Sequence, residues 1–143
     1  MRLRMLGYDT LFYRGAADRT FLRKAQQENR VVLTRKRDLA KREFDGVLLV
    51  TESDRVERQV EEVLENLNLE PDPDRYFSLC LRCNVLLEEV AKEDVVNRVP
   101  PYVFENNSRF MICSRCGAIY WPGTHIENAR KWIRALHTPT RHP

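Results

Sequence analysis

The sequence predicts an α/β fold with a parallel sheet in its first half and a metal-binding module in its second half. Three observations lead to this prediction. Short apolar runs alternate with amphipathic stretches up to residue 70, Pro71 and Pro73 interrupt this alternation, and all four cysteines of the 143-residue chain lie beyond them. Because consecutive strands that are separated by helices need crossover connections, the sheet is expected to be parallel.

The elements of the first half follow from the spacing of apolar residues. Short apolar runs predict three strands, at residues 9–13, 31–33 and 46–50. Helical spacing predicts two amphipathic helices, at residues 18–29 and 54–67, and a short polar helix is expected at residues 37–42. Asp18 is expected to cap the first of these helices through its carboxylate.

The second half contains shorter elements around the cysteines. Residues 71–76 form a predicted linker, because proline interrupts helices and strands there. Residues 77–143 are expected to form the cysteine module, with a helical turn or two at residues 91–97 and a helix or extended segment from Pro100. A terminal helix over residues 125–137 should pack on the body of the protein through one apolar face, which consists of Ile126, Ala129, Trp132, Ile133 and Leu136.

The charge of the chain is mild in total but unevenly distributed. The net charge is +3, yet residues 2–42 contain twelve Lys or Arg and only four Asp or Glu, whereas residues 43–79 contain three basic and eleven acidic residues. A basic segment of this kind fits a polyanionic partner such as RNA. The alternative is that basic and acidic helices face each other or solvate the surface, and charge alone favours this alternative.

Composition also excludes some classes of protein. Hydrophobic residues make up 43% and charged residues 31% of the chain, which is typical of a globular rather than a disordered protein. No apolar run approaches the roughly 20 residues that a membrane-spanning helix needs. Because the first residues also lack the apolar stretch of a secretory signal, we expect a cytoplasmic protein whose thiols stay reduced.

The four cysteines form two pairs with the spacing of a zinc site. Cys80 and Cys83 form the first pair, Cys113 and Cys116 form the second, and 29 residues lie between the pairs. A gap of two residues lets both thiolates of a pair reach one ion at about 2.3 Å, and two such pairs complete a tetrahedron. Disulfides fit a cytoplasmic protein poorly, and a redox motif usually occurs only once. We therefore expect a zinc ion.

Each cysteine pair is followed by a residue that suits a tight turn. Asn84 follows the first pair and Gly117 follows the second, and both residue types tolerate a positive φ. This pattern predicts two zinc knuckles. Since a site filled by four thiolates has no open position for a substrate, the zinc ion is expected to stabilise the module rather than to catalyse a reaction.

Two acidic residues of the first half are candidates for a catalytic metal site. Hydrolysis of a phosphodiester with Mg²⁺ or Mn²⁺ needs several carboxylates that converge on the metal, and in α/β sheets such groups gather at the carboxyl ends of strands. Asp38 follows the strand predicted at residues 31–33, and Asp18 begins the helix that precedes this strand. Helix capping alone explains Asp18 equally well, and Asp38 can serve as a charge at the start of a short helix.

Several motifs together resemble the Mut7-C ribonuclease domain family. Those of the first half are Leu-Gly-Tyr-Asp at residues 6–9, Asp18, and Arg-Val-Val-Leu-Thr-Arg at residues 30–35 with Asp38-Leu39. Those of the second half are more specific, and they are Phe-Ser-Leu-Cys-Leu-Arg-Cys-Asn at residues 77–84, Cys-Ser-Arg-Cys-Gly at residues 113–117 and Tyr-Trp-Pro-Gly-Thr-His at residues 120–125. The resemblance spans nearly the whole chain. It implies a PIN-like three-layer domain over residues 1–70, whose acidic residues bind Mg²⁺ or Mn²⁺, fused to a C-terminal zinc ribbon.

The sequence departs from the family pattern in two places. Family members generally begin with a strand that carries an Asp, whereas this chain starts within the helix that follows, so we expect the first strand and its metal ligand to be missing. The usual Thr-Arg-Asp reads Thr34-Arg35-Lys36 here, which puts a positive charge where a carboxylate should bind a cation. Only Asp18 and Asp38 match acidic positions of the pattern. The resemblance therefore implies a ribonuclease that is weak or inactive.

Three functions remain open at this point. The first is a ribonuclease that uses Asp18 and Asp38. The second is a non-catalytic RNA-binding or adaptor protein, whose basic side chains bind phosphates with strong salt dependence; the candidates are Arg35, Lys36, Arg37, Lys41, Arg42, Arg82 and Arg115. The third is a protein-docking ribbon with the aromatic residues Tyr120, Trp121 and Trp132, although core packing is the more common role for such residues. A sheet without its first strand would also have an open edge, which we expect a second copy or a partner chain to cover.

Overall fold

The structure, a computed structural model, describes residues 2–15 and 18–137. It has a mixed α/β composition with a small parallel sheet, and the chain divides into two units. One unit contains the described parts of Met1–Thr10 and Pro71–Pro143, and the other contains the described parts of Leu11–Glu70. The short helix α1 (Arg2–Met5) therefore belongs to the same unit as the cysteines.

The unit of residues 11–70 is built on a two-stranded parallel sheet. Strand β1 (Val32–Thr34) pairs with β2 (Leu48–Val50), and Val32 lies opposite Leu48. Helix α2 (Arg19–Gln27) precedes β1, a 3₁₀ helix (Arg37–Lys41) lies in the connection between the strands, and α3 (Val56–Asn66) follows β2. These elements confirm the predicted order of helices and strands from residue 18 onward.

The core of this unit lies where α2 and the 3₁₀ helix meet the sheet. Leu22, Ala25, Val32 and Leu39 are buried together, and Phe21, Phe44 and Leu48 pack against them. The apolar spacing of α2 explains this arrangement, because residues three or four apart lie on one face of a helix.

The strand predicted at residues 9–13 is wrong. Residues 8–14 have no regular secondary structure. The amide of Thr10 donates to the side-chain oxygen of Asn84 (2.9 Å), and the carboxylate of Asp9 accepts a hydrogen bond from the same side chain. The amide of Thr10 is therefore bonded to a side chain rather than to a neighbouring strand.

The cysteine-containing unit has a small antiparallel sheet with the strand order β3-β4-β5. Its strands are β3 (Glu88–Val90), β4 (Phe110–Ile112) and β5 (Ile119–Tyr120), and its longer helices are α4 (Pro101–Asn106) and α5 (Thr124–His137). Two 3₁₀ helices, Pro73–Arg75 and Lys92–Val95, lie in the segments that precede and follow β3. The first of them occupies part of the predicted linker.

A buried apolar cluster and the apolar face of α5 stabilise this unit. Val95, Val99 and Phe110 form a buried cluster, against which Trp121 and other apolar side chains pack. Helix α5 buries Ala129 and Ile133, which confirms the apolar face predicted for it. Among the described residues, no helix combines the length and the apolar character that are needed to cross a membrane.

Candidate metal centre and basic surface

Two similar knuckles carry the four cysteines. In each knuckle the backbone amide of the first cysteine donates a hydrogen bond to the carbonyl oxygen of the residue five positions later. The residue that follows the second cysteine donates its backbone amide to the carbonyl oxygen of the first cysteine. These hydrogen bonds are Cys80 to Val85 (2.8 Å), Asn84 to Cys80 (2.8 Å), Cys113 to Ala118 (3.0 Å) and Gly117 to Cys113 (2.9 Å). The segments at residues 79–86 and 112–119 therefore adopt the same hairpin twice.

The turn of each knuckle needs a residue with a positive φ. Asn84 has a φ of 60° and Gly117 has a φ of 75°. Glycine adopts this region without steric cost, and asparagine tolerates it better than most residues do. The prediction that these two positions close the turns is confirmed.

The four sulfur atoms lie at distances that suit a single metal ion. All four Sγ atoms are within 4.8 Å of one another, and those of Cys80 and Cys116 are 3.7 Å apart. Four thiolates at about 2.3 Å from a tetrahedral zinc ion are separated by about 3.8 Å. Cys80 and Cys113 are fully buried, whereas Cys116 is exposed. These residues could therefore bind one ion near the surface of the unit.

Hydrogen bonds to Cys80 Sγ favour the thiolate form of this cysteine, which is the form that binds metals. The amide of Leu81 donates to the Tyr120 hydroxyl oxygen (3.2 Å), which leaves the hydroxyl hydrogen for Cys80 Sγ at 3.2 Å. Burial acts to raise the pKa of Cys80, but the hydrogen bonds from Tyr120 and from the backbone outweigh it and lower this pKa to about 6. Burial, followed by hydrogen bonds with the other three thiols, acts in the opposite direction on Cys83 and raises its pKa to about 12. Burial, followed by the bond with Cys80, raises the pKa of Tyr120 to about 12. Partners of this kind orient metal ligands and tune their basicity.

The first knuckle also holds the N-terminal segment. The side chain of Asn84 bonds to both Asp9 and Thr10. Arg4 is only 7% exposed, and its guanidinium donates to the carbonyl oxygens of Thr10 (2.8 Å) and Leu81 (2.6 Å). Burying a cation needs hydrogen bonds that replace those to water, and the two carbonyl oxygens accept from two of the five N–H groups of this guanidinium. Arg4 and the side chain of Asn84 thus join residues 4–10 to the knuckle, a role that was not predicted from the sequence.

The Leu-Gly-Tyr-Asp motif at residues 6–9 has a packing role that depends on Gly7. It has a φ of 91°, and a Cβ atom at this position would lie 2.5 Å from the carbonyl oxygen of Arg75. Leu6 beside it is only 1% exposed. Within this unit the motif therefore serves close packing against the segment that precedes the first knuckle.

The two acidic candidates lie in the other unit. Asp18 caps α2, as predicted, and its carboxylate accepts hydrogen bonds from the amides of Thr20 (3.0 Å) and Phe21 (3.3 Å). Asp38 is exposed in the first turn of the 3₁₀ helix. Within the described ranges, the four cysteines are the one group of three or more His, Cys, Asp or Glu side chains whose ligand atoms are close enough to share a metal ion. Neither Asp18 nor Asp38 belongs to such a group among the described residues.

The predicted RNA-binding side chains are exposed. Five of them lie in the unit of residues 11–70 and two lie on the knuckles; they are Arg35, Lys36, Arg37, Lys41 and Arg42, with Arg82 and Arg115. In the part of the chain that the structure describes, none of these side chains forms an ion pair with a carboxylate. They are available to an external anion.

The three aromatic residues considered for protein docking make contacts inside their own unit. Tyr120 bonds to Cys80, and Trp121 packs against the cluster of Val95, Val99 and Phe110. The ring of Trp132 lies 4.7 Å from the guanidinium carbon of Arg2. These contacts favour core packing over an exposed docking surface.

Together the fold and the cysteines define a class of protein, in which a small α/β unit accompanies a module with two cysteine knuckles. The model of one family, the Mut7-C RNAse domain, matches residues 1–133, and the chain belongs to this family. Neither a curated protein nor a solved structure matches the chain.

Proposed function

We propose that this chain is a ribonuclease-family domain that binds RNA and cleaves it weakly or not at all. The observation that carries the proposal is the family match over residues 1–133, since ribonuclease activity is what the family is named for. In this proposal the unit of residues 11–70 is the PIN-like part of the protein. Asp18 and Asp38 would hold Mg²⁺ or Mn²⁺, which supplies an activated water for attack on the phosphodiester.

Three features of the proposed catalytic site support weak activity. A Mg²⁺ ion that keeps several waters needs few protein ligands, but two carboxylates bind it weakly. The carboxylate of Asp18 already accepts two amide hydrogen bonds from its own helix. Lys36, two residues before Asp38, is exposed and adds a positive charge that opposes the binding of a cation.

The alternative function is a non-catalytic RNA-binding or adaptor module. Its support is the set of exposed basic side chains that lack ion-pair partners within the described chain. Arginine and lysine side chains of this kind bind phosphates without reading the base sequence.

We further propose that the metal of the knuckles is a structural zinc ion held by Cys80, Cys83, Cys113 and Cys116. Its support is the sulfur geometry, together with a donor set of four thiolates that zinc prefers over Mg²⁺ or Ca²⁺. With four protein ligands the ion has no open position, so its contribution is to folding rather than to chemistry.

Cleavage of a fluorescent single-stranded RNA in Mn²⁺ tests the catalytic part of the proposal. We expect slow cleavage by the unmodified chain, loss of cleavage in Asp18→Asn, and an increase of about tenfold in Lys36→Asp, equivalent to roughly 1.4 kcal/mol of transition-state stabilisation. Lys24→Asp, which makes the same charge change at another exposed lysine, is the control and should cut like the unmodified chain.

Two outcomes would overturn parts of this proposal. If the unmodified chain cuts at the roughly 10 s⁻¹ of an average enzyme and Asp18→Asn abolishes this, the claim of weak activity is wrong. If none of the variants cuts RNA, the catalytic role of Asp18 and Asp38 is wrong, and the RNA-binding alternative is the one that stands.

We also propose that a second copy of the chain covers an edge of the parallel sheet. In the described residues β1 and β2 pair only with each other, so each has one open edge, and Val31 and Val47 beside them are 45% and 51% exposed. Open edges of this kind pair readily with another strand. Sedimentation should therefore detect a dimer that Val47→Lys weakens. A monomer whose β1 and β2 amides are all protected from hydrogen exchange would contradict this.

A further inference from the structure

A basic groove lies in the unit of residues 11–70 and shares Arg42 with the exposed basic side chains described above. Its volume is about 550 Å³, and it is lined by one face of α2 and by the segment that follows the 3₁₀ helix. The lining residues are Arg19, Leu22, Arg23, Gln26, Arg42 and Glu43. Of these, only Arg42 was a candidate from the sequence.

Three arginines in this groove share one binding surface. Arg19 and Arg23 are one helical turn apart, a rise of about 6 Å along the helix axis, and Arg42 lines the same groove from the other segment. All three are exposed, and within the described chain no carboxylate forms an ion pair with any of them. Like charges that share a groove repel each other, so an anion bound among them would relieve this repulsion.

The groove has a rigid framework. Leu22 in its lining is 4% exposed and belongs to the buried cluster of the unit. The carboxylate of Asp18 caps the helix that carries Arg19 and Arg23. The helix that presents these arginines is therefore fixed before any ligand binds, which lowers the entropic cost of binding.

The side chains of the groove suit a phosphodiester with a ribose beside it. Guanidinium groups bind phosphate oxygens in a bidentate manner. Gln26 and Glu43 add oxygen acceptors, and a ribose 2′-hydroxyl is the donor that distinguishes RNA from DNA. Double-stranded RNA-binding domains contact roughly 16 base pairs, whereas a single strand can place its phosphates and 2′-hydroxyls in a short groove, so we take the ligand to be a single strand.

We infer that this groove binds the backbone of single-stranded RNA, with Arg19, Arg23 and Arg42 on phosphates and Glu43 on a 2′-hydroxyl. The inference rests on the proposed function, since it specifies where on the chain the RNA binds. Because Arg19 directly follows Asp18, RNA bound in the groove would pass beside the proposed catalytic carboxylate.

Binding of a fluorescent oligouridine to the zinc-loaded full chain, measured by anisotropy at several salt concentrations, tests this inference. For Arg23→Ala and for Arg42→Ala we expect a loss of about tenfold in RNA affinity at low salt. The slope of log K against log salt should decrease in magnitude by about 0.7, which is the value for one phosphate contact with a single strand. Lys24→Ala removes the same charge from the same helix at a residue that does not line the groove. It should change the affinity by less than about twofold.

The 2′-hydroxyl contact is tested with oligodeoxyuridine of the same length. The unmodified chain should bind the RNA more tightly than the DNA. Glu43→Ala should lose this preference, even if it binds both oligonucleotides more tightly than the unmodified chain does. If Arg23→Ala and Lys24→Ala have equal effects, or if the unmodified chain binds RNA and DNA equally, the groove is not the RNA-binding site, although the chain still binds RNA. If the unmodified chain binds no RNA, the groove and the proposed function both fail.

Discussion

The variant Cys113→Ala is expected to lose its metal and to unfold the unit that contains both tryptophans of the chain. Cys113 is fully buried, and its sulfur accepts the amide hydrogen bonds of Arg115 and Cys116. A structural zinc ion contributes about 10–16 kcal/mol in zinc-finger peptides, which is as large as the roughly 5–15 kcal/mol that stabilise a whole domain. The apolar cluster around Phe110 alone should not keep this unit folded.

Tryptophan fluorescence and the zinc content of the purified protein measure this effect. Trp121 and Trp132 both lie in the cysteine-containing unit, so the fluorescence reports on that unit alone. Ser114→Ala is the matched control, because Ser114 is exposed in the same knuckle and is not a ligand. If Cys113→Ala keeps the emission and the unfolding temperature of the unmodified protein, the four cysteines do not form a structural site.

The variant Arg4→Met is expected to destabilise the same unit by several kcal/mol. Its guanidinium is buried and donates to the carbonyl oxygens of Thr10 and Leu81, so a methionine would leave both oxygens without this donor. A buried carbonyl group that loses its partner costs about 1–3 kcal/mol. Because Thr10 and Leu81 are half-buried and water can replace part of each bond, we expect a total loss of about 2–4 kcal/mol. The measurement is urea unfolding of the zinc-loaded protein, followed by fluorescence.

An exposed arginine of the same unit provides the control for Arg4. Arg109 is 68% exposed and lies 3.7 Å from a carboxylate oxygen of Glu89, which is equally exposed. Pairs of this kind contribute about 0–1 kcal/mol, so Arg109→Met should change stability little. Similar losses for both variants would show that Arg4 does not have the special role that its hydrogen bonds indicate.

The metal centre was predictable from the sequence to a large extent. The spacing of Cys80, Cys83, Cys113 and Cys116 restricts the ways in which two pairs can meet, and a short gap within each pair favours a knuckle. Asn84 and Gly117 could be assigned to positive φ because few residue types tolerate it. The hydroxyl of Tyr120 was not predicted to contact Cys80, because a tyrosine close to a cysteine in sequence gives no information on where its oxygen lies.

The assignment of residues 9–13 failed for a different reason. This segment has the apolar composition of a strand, but β propensity reflects how a residue fits a sheet, and no strand pairs with it in the described structure. The amide of Thr10 instead donates to Asn84, which is 74 residues away along the chain. Contacts at such a separation leave no periodic signal, so local patterns could not show that the first ten residues belong with the cysteines.

The basic surface was predicted only in part. The exposed cluster at residues 35–42 is contiguous in sequence and is visible as a charge run. Arg19 and Arg23 are spread along a helix, and their relation to Arg42 depends on how α2 packs against the segment after the 3₁₀ helix. A groove formed by two separate segments is a property of tertiary packing, which explains why only one of its arginines was identified in advance.

The four-thiolate centre determines which residues of the cysteine-containing unit fold together. Native mass spectrometry of the purified chain tests it most directly, without any substitution. We predict one zinc ion for each chain, which is lost together with the folded signal of the cysteine-containing unit when a strong chelator is added. A folded chain that carries no zinc, or a chain whose tryptophan fluorescence is the same before and after chelation, would show that the four cysteines do not form a structural zinc site.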